Sequence, residues 1–249
     1  MLLGNMNNPS LNLYKEIERV LKEGWNFLDL TLENPKAHAA TIDIEKTKRL
    51  IEKFRNETVG HTGWYLPIGH PMEEIREISF LELLQSLDAF ERLGVKKMNV
   101  HPNITEGLDE KQALKYNIDS LKRLVKAGNS VNIMIMVENV PGMFSNPKYI
   151  GELLKIKGLK FHYDAAHAHI ENTEYLLIEK FGKCIEHVHF SDNKGKMDEH
   201  LPIGKGNINW KKVIKMLKDN GYDGTVSLEI FSGGKKGRTE SMKKLREMW

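Results

Sequence analysis

A single cysteine, Cys184, stands among 249 residues. That excludes an internal disulfide framework and any cysteine-only metal site, and it suits a reducing compartment. Long hydrophobic runs are missing too. The best of them, VNIMIMV at Val131–Val137, is strand-sized and interrupted by Asn132, far short of the roughly 18 apolar residues a membrane helix needs. The opening MLLGNMNNPS places no basic segment ahead of an apolar stretch, so a signal peptide is not expected and a soluble, cytoplasmic protein is. Charge of one sign is also lacking. Lys plus Arg number 37 against 34 Asp plus Glu, a net +3, with the signs too well mixed to argue for nucleic acid or an anionic membrane. No linker, low-complexity tract or charge shift divides the chain, which reads as one domain over 1–249. At 40% hydrophobic residues the chain can bury a core, which excludes wholesale disorder.

What is present is an alternation. Short β-branched or apolar runs are expected as strands at Leu2–Asn5, Asn26–Leu32, Val59–Thr62, Lys97–His101, Val131–Glu138, Leu159–Asp164, Ile185–Ser191 and Thr225–Ile230. Amphipathic helical stretches lie between them. Ser10 and Thr41 are the expected starts of the first two, and a long one shows Ile75, Ile78, Leu81, Leu84, Leu87 and Phe90 before Gly94. Asp109 opens another through Leu124, and Asn209 opens one carrying Trp210, Val213, Ile214 and Leu217. Repeated βα units in an undivided chain of this size predict an α/β fold, a single (β/α)8 TIM barrel. A doubly wound open sheet is the competitor, weakened because no glycine-rich phosphate fingerprint follows the first strand.

A barrel carries its chemistry at the C-terminal ends of its strands. The chemically able residues fall there: Glu33, His61, His101, Glu138, Asp164 with His167, His187 with His189 and Asp192, and Glu229. Taken singly, each has an ordinary explanation as a helix cap, a solvated loop acid or a hydrogen-bonded histidine. Together they place several carboxylates in one mouth, which is costly unless a cation neutralises them or they share protons. Mixed Asp, Glu and His donors without thiolate suit Zn²⁺, Mn²⁺ or a similar divalent ion. Alternation points His187 and His189 to the same side of their strand, with His189 nearer the mouth and His187 one layer deeper. Asp198 and His200 lie in the following loop, which Gly204 and Gly206 let fold tightly over the mouth. Trp64 and Tyr65 read equally as an aromatic wall for a substrate ring or as lid packing.

The segments VEN, YDAAH, HVHFSDN, DEHLPIGKG and LEI, in that order and spacing, resemble the xylose isomerase-like TIM barrels. That superfamily includes endonuclease IV and many sugar or sugar-phosphate isomerases and epimerases, and the resemblance covers nearly the whole chain. It implies a shared metal site at Glu138, Asp164, His189 and Glu229. For the endonuclease IV branch it implies further zinc ligands at His61, His101, His167, Asp198 and His200, so that one to three ions of Zn or Mn are expected. Two mechanisms follow from the resemblance. In an isomerase or epimerase, a divalent ion chelates a carbonyl and its neighbouring hydroxyl and stabilises an enediolate. Glu138 and Glu229 then exchange the proton, and His167, with His101 and Trp64, meets the substrate. In an endonuclease IV-like phosphodiesterase, Glu138 and Glu229 bridge three ions, and a metal-activated hydroxide attacks DNA beside an abasic site.

Departures rank the two. The opening MLLGNMNN differs from the Gly-Ala-His-Val-Ser start typical of endonuclease IV, and the early loops are short for penetrating a duplex. Only KKGR at Lys235–Arg238 clusters basic charge, and on the loop after the seventh strand Lys194 and Lys196 read as solvated rather than phosphate-binding. The expected partner is therefore a sugar or sugar phosphate, with DNA as the alternative.

Overall fold

The computed structural model describes residues 1–56 and 58–249. Eight parallel strands follow one another around a closed barrel: β1 Leu2–Met6, β2 Phe27–Leu32, β3 Val59–Thr62, β4 Lys97–Val100, β5 Met134–Glu138, β6 Lys160–Asp164, β7 Ile185–Phe190 and β8 Thr225–Leu228. Pairing of β1 with β8, Leu3 opposite Val226, completes the closure. The helices are α1 Leu13–Lys22, α2 Ile44–Ile51, α3 Glu73–Leu93, α4 Glu110–Ser130, α5 Pro147–Leu153, α6 Ala165–Ile170, α7 Glu174–Phe181, α8 Trp210–Asp219 and α9 Gly234–Met248. This is the expected (β/α)8 barrel, and the open-sheet competitor is excluded by the closure. No helix among the described residues is long and apolar enough to cross a membrane.

Three local expectations need correction. The first two helices start later than Ser10 and Thr41 suggested, because Asn12 and Asp43 each accept a bond from the backbone N–H three residues on, Lys15 and Lys46. Val131–Ile133 closes α4 instead of opening β5. The N–H groups of Val131 and Ile133 return to the Gly128 carbonyl, and Asn132 takes a left-handed φ of 56°. α4 accordingly runs past Leu124 to Ser130, while Asp109 and Asn209 cap their helices as expected.

Strand pleating divides the side chains into two populations. Leu28, Leu30, Ile135, Val137, Val188 and Val226 belong to the main apolar core, packed with helix residues such as Ile17, Leu121, Val213 and Leu217. The barrel interior is different. Phe27, Val59 and Met136 form a small separate apolar floor, and above it the inward positions turn polar. Gly4 is required at that floor, because a Cβ there would stand 2.3 Å from the Phe27 ring.

Candidate metal centre at the barrel mouth

Strand register sets the order of the polar tiers. Between β6 and β7, His162 lies opposite His187 and Asp164 opposite His189, so each pair shares one level. Glu138 ends β5 and Glu229 follows β8. One donor atom from each of Glu138, Asp164, His189 and Glu229 falls in a group within 4.8 Å of one another. His189 Nδ1 is 3.0 Å from Glu229 Oε2 and 4.0 Å from both Glu138 Oε1 and Asp164 Oδ2.

Two satellite groups flank this centre. On one side His101 Nε2 and His61 Nε2 lie 3.0 and 3.8 Å from Glu138 Oε2, and Glu33 sits 3.6 Å from His61 Nδ1. On the other, His167 Nε2 and His200 Nε2 approach Asp198 Oδ2 at 3.2 and 2.9 Å. His167 Nδ1 donates to the Asn139 carbonyl and His200 Nδ1 to the Glu229 carbonyl, which leaves both Nε2 atoms facing Asp198. His200 holds this pose at a left-handed φ of 46°, its own carbonyl accepting from Ser232 Oγ.

The electrostatics match a cluster built around positive charge. Burial, opposed by His167 and reinforced by Glu138, Glu229 and Asp198, pushes Asp164 up to about 7. Burial would raise Glu138 as well, but the charges of His162 and His101 and bonds from His101 and His167 hold it well below the carboxylate range. Glu229 is likewise lowered against burial, chiefly by its bond from His189. Burial would lower His61, yet its contacts with Glu138 and Glu33 carry it to about 10, and bonding to Asp198 carries His200 to about 9. Two buried carboxylates, the partly exposed Glu229 and one imidazole are a donor set that fits a divalent ion of the zinc or manganese type. An Asp164 proton held near neutrality marks negative charge that the surrounding imidazoles do not fully balance.

The site opens into a cavity of about 770 Å³. Glu33, His61, His101, Glu138, His167, Asp198, His200 and Glu229 supply its polar depth, and Trp64, Tyr65, Ile104, Val140 and Phe231 its apolar rim. Trp64 is 69% exposed and Phe231 56%, so the rim offers free aromatic faces. Among the described residues no Lys or Arg lines the cavity. Lys194 stands outside the cavity beside Glu199, and Arg238 of the KKGR cluster is tied to the Glu23 carboxylate.

Asp192 does not line the cavity. It anchors the loop after β7, accepting from Gly204 N, Ile208 N and Trp210 Nε1. Gly206 passes so close that a Cβ would meet the Asn193 carbonyl at 2.1 Å. Four further contributors escaped the sequence reading. Asn99 donates to Glu138 Oε2. Asn139 clasps the Asp164 backbone through both of its side-chain polar atoms. Asp29 and His162 are fully buried beside His189. The alternation in FLDLTL and FHYD was the available signal for the last two.

The sequence profile described as Xylose isomerase-like TIM barrel matches residues 17–248. The chain belongs to that family. The chain is 27% identical over 232 residues to the uncharacterized protein MJ1311 of Methanocaldococcus jannaschii, covering 88% of this chain and 79% of that one. It is 26% identical over 245 residues to a probable endonuclease 4 of Aquifex aeolicus, covering 88% and 87%. A solved structure titled a D-tagatose 3-epimerase-like protein superposes with a TM-score of 0.90 at 25% identity, covering 100% of this chain and 97% of that one.

Proposed function

We propose that the protein is a divalent-metal-dependent isomerase or epimerase acting on a small, uncharged polyhydroxy carbonyl compound of the sugar class. The observation that carries this reading is the cavity lining: a carboxylate and imidazole floor under an apolar aromatic rim, with no Lys or Arg among its residues. A phosphodiester backbone or a sugar phosphate calls for cationic partners along its path, and the raised imidazoles His61 and His200 are each held against carboxylates rather than free to meet one. A neutral sugar calls for hydrogen-bonding acids and imidazoles below and a flat apolar face above.

Glu138, Asp164, His189 and Glu229 would hold the ion. Bound there, a divalent ion supplies the Lewis acidity that makes a C–H beside a carbonyl easier to ionise. Glu138 and Glu229 are both ionised, for the reasons given above, so each is fit to act as a base. One takes the proton from the carbon beside the carbonyl while the C–H electron pair shifts toward the carbonyl oxygen. In epimerisation the other would deliver a proton to the opposite face, and because it too rests ionised it first takes that proton from water entering the open cavity. They stand on β5 and after β8, separated around the barrel by the β6 and β7 ends. His167 and His101 face the same space and hydrogen-bond substrate oxygens, while Trp64 covers the apolar side of the ring.

The test is wash-in of solvent deuterium at the carbon beside the carbonyl across a panel of ketoses, with and without a chelator. Chelator-sensitive exchange is the expected result, and its absence from every sugar overturns the reading. A second reading, an endonuclease IV-like phosphodiesterase, is favoured by one observation. The satellite groups His61–His101 and His167–Asp198–His200 flank the carboxylates, and a single-ion isomerase has no need of them as ligands. Three tightly held zinc ions per chain, with metal-dependent incision of an abasic duplex, would establish it in place of the first.

A further inference from the structure

Below the mouth lies a layer that the proposed reaction leaves unused. Asp29, His162 and His187 are fully buried, and none of them lines the cavity. A layer of this kind has two possible uses: holding an ion of its own, or holding His189. Nitrogens of His162, His187 and His189 do lie within 4.8 Å of one another. The hydrogen bonding decides against a second ion. Asp29 Oδ2 stands 2.7 Å from His189 Nε2 and 3.1 Å from His187 Nε2, and an ionised carboxylate only accepts. Both Nε2 atoms therefore carry hydrogen and have no lone pair to give a metal.

We propose that Asp29 is the positioning residue for His189: it fixes the Nε2–H tautomer and turns Nδ1 toward Glu138, Asp164 and Glu229, with His187 bracing Asp29 from below. This rests on the reading of those residues as the metal-holding group. The other tautomer would set the Nε2 lone pair against a buried carboxylate at 2.7 Å, which is repulsive where water cannot screen it. His187 is itself held at Nδ1 by Thr225 Oγ1 at 2.7 Å, so the brace runs back to the start of β8. Packing limits the remaining freedom of the His189 ring. His162 meets it edge-on with centroids 4.1 Å apart, and His61 stacks at 5.5 Å and 15°. A carboxylate that orients a ligating imidazole through its far nitrogen typically changes metal affinity about 10–100-fold when removed.

The experiment is zinc titration of the full-length protein by competition with a chromophoric chelator, counting both affinity and zinc per chain. The variants are Asp29→Asn, Asp29→Leu, His187→Gln and His162→Gln. Asp29→Leu is expected to weaken zinc binding about 10–100-fold at unchanged stoichiometry, and Asp29→Asn to weaken it less, because it keeps one acceptor oxygen. ¹⁵N spectra of the zinc-loaded wild type should show Nδ1 of His189 bound and Nε2 protonated. If Asp29→Leu does not fold, the Asn variant and the spectrum still decide. Wild-type affinity in a folded Asp29 variant, or a His189 bound through Nε2, overturns the proposal. Loss of one zinc equivalent from His187→Gln or His162→Gln also overturns it, in favour of an interior ion. Glu138→Gln and Asp164→Asn separate the two failures: if they too leave zinc binding unchanged, the metal-holding group is what has failed.

Discussion

The barrel interior holds two tiers of similar residue types with opposite electrostatic habits. In the mouth tier, carboxylates outnumber what burial tolerates, and the imidazoles respond: His61 rises to about 10 and His200 to about 9, while His167 and His189 also rise. One level down, burial and the neighbouring imidazoles dominate, so His162 and His187 are pushed below their ordinary value although Glu138 pulls His162 upward and Asp29 pulls on both. Residue type does not separate the tiers; the ratio of carboxylate to imidazole and the access to the cavity do. Where acids match imidazoles in number and open to the cavity, the mouth is disposed to take up a cation. Where a single acid serves two imidazoles, the layer is disposed to hold its neighbours still.

The largest effect should come from the mouth. Glu229→Gln keeps the shape of the side chain but removes the base and one anionic oxygen, and turnover is expected to fall about 10²–10⁴-fold or more with the fold intact. Steady-state kinetics beside a thermal melt check this, and retained activity would break the assignment of the mouth as the reactive tier. The floor offers the counterpart. Phe27→Ala opens a void beneath both tiers and should cost about 3–5 kcal/mol of stability by denaturant unfolding. The remaining folded protein should keep most of its kcat, since Phe27 is not among the residues that line the cavity.

These two tiers were unequally legible in the sequence. Strand-end positions announced the mouth, because Glu138, Asp164, His189 and Glu229 all sit where a barrel ends its strands, and the structure brings them together. Asp29 was hidden by its place inside FLDLTL, a run whose other members are apolar or Thr and read as ordinary strand. Its function depends on a partner 160 residues away, and closure across the barrel is the one relation that strand-by-strand reading does not contain. His162 was masked by its neighbour Asp164, though the pleat puts both on the inner side. The corrections at Asn12, Asp43 and Val131 are of another kind. Each turned on which nearby polar group won a backbone N–H, a contest of about 1 kcal/mol that spacing alone does not rank.

A third effect sharpens the contrast through pH. Metal ligands must shed their protons, so affinity should rise with pH. In the metal-free mouth Asp164 is protonated below about 7, and His189 keeps its proton well above its ordinary value. A single ion on Glu138, Asp164, His189 and Glu229 therefore releases two protons below pH 7 and fewer above it. Its affinity should change by about tenfold per pH unit per proton released. Ions seated also on His61 and on His167–His200 would release more, and the slope would stay steep toward pH 9. Isothermal titration in buffers of different ionisation enthalpy measures the proton count, and so distinguishes one ion from three.

The smallest expected effect lies at the rim. Trp64 is largely exposed, and among the described residues its aromatic partner is the edge-on ring of Tyr65, 6.0 Å away. Trp64→Ala should therefore leave stability within about 0.5 kcal/mol. If the indole covers a bound ring, KM should rise several-fold, in line with about 1 kcal/mol of stacking, while kcat changes little. An unchanged KM for a sugar that the enzyme turns over would return Trp64 to lid packing. The apolar rim would then cease to count as part of the recognition surface, leaving discrimination to the polar depth alone.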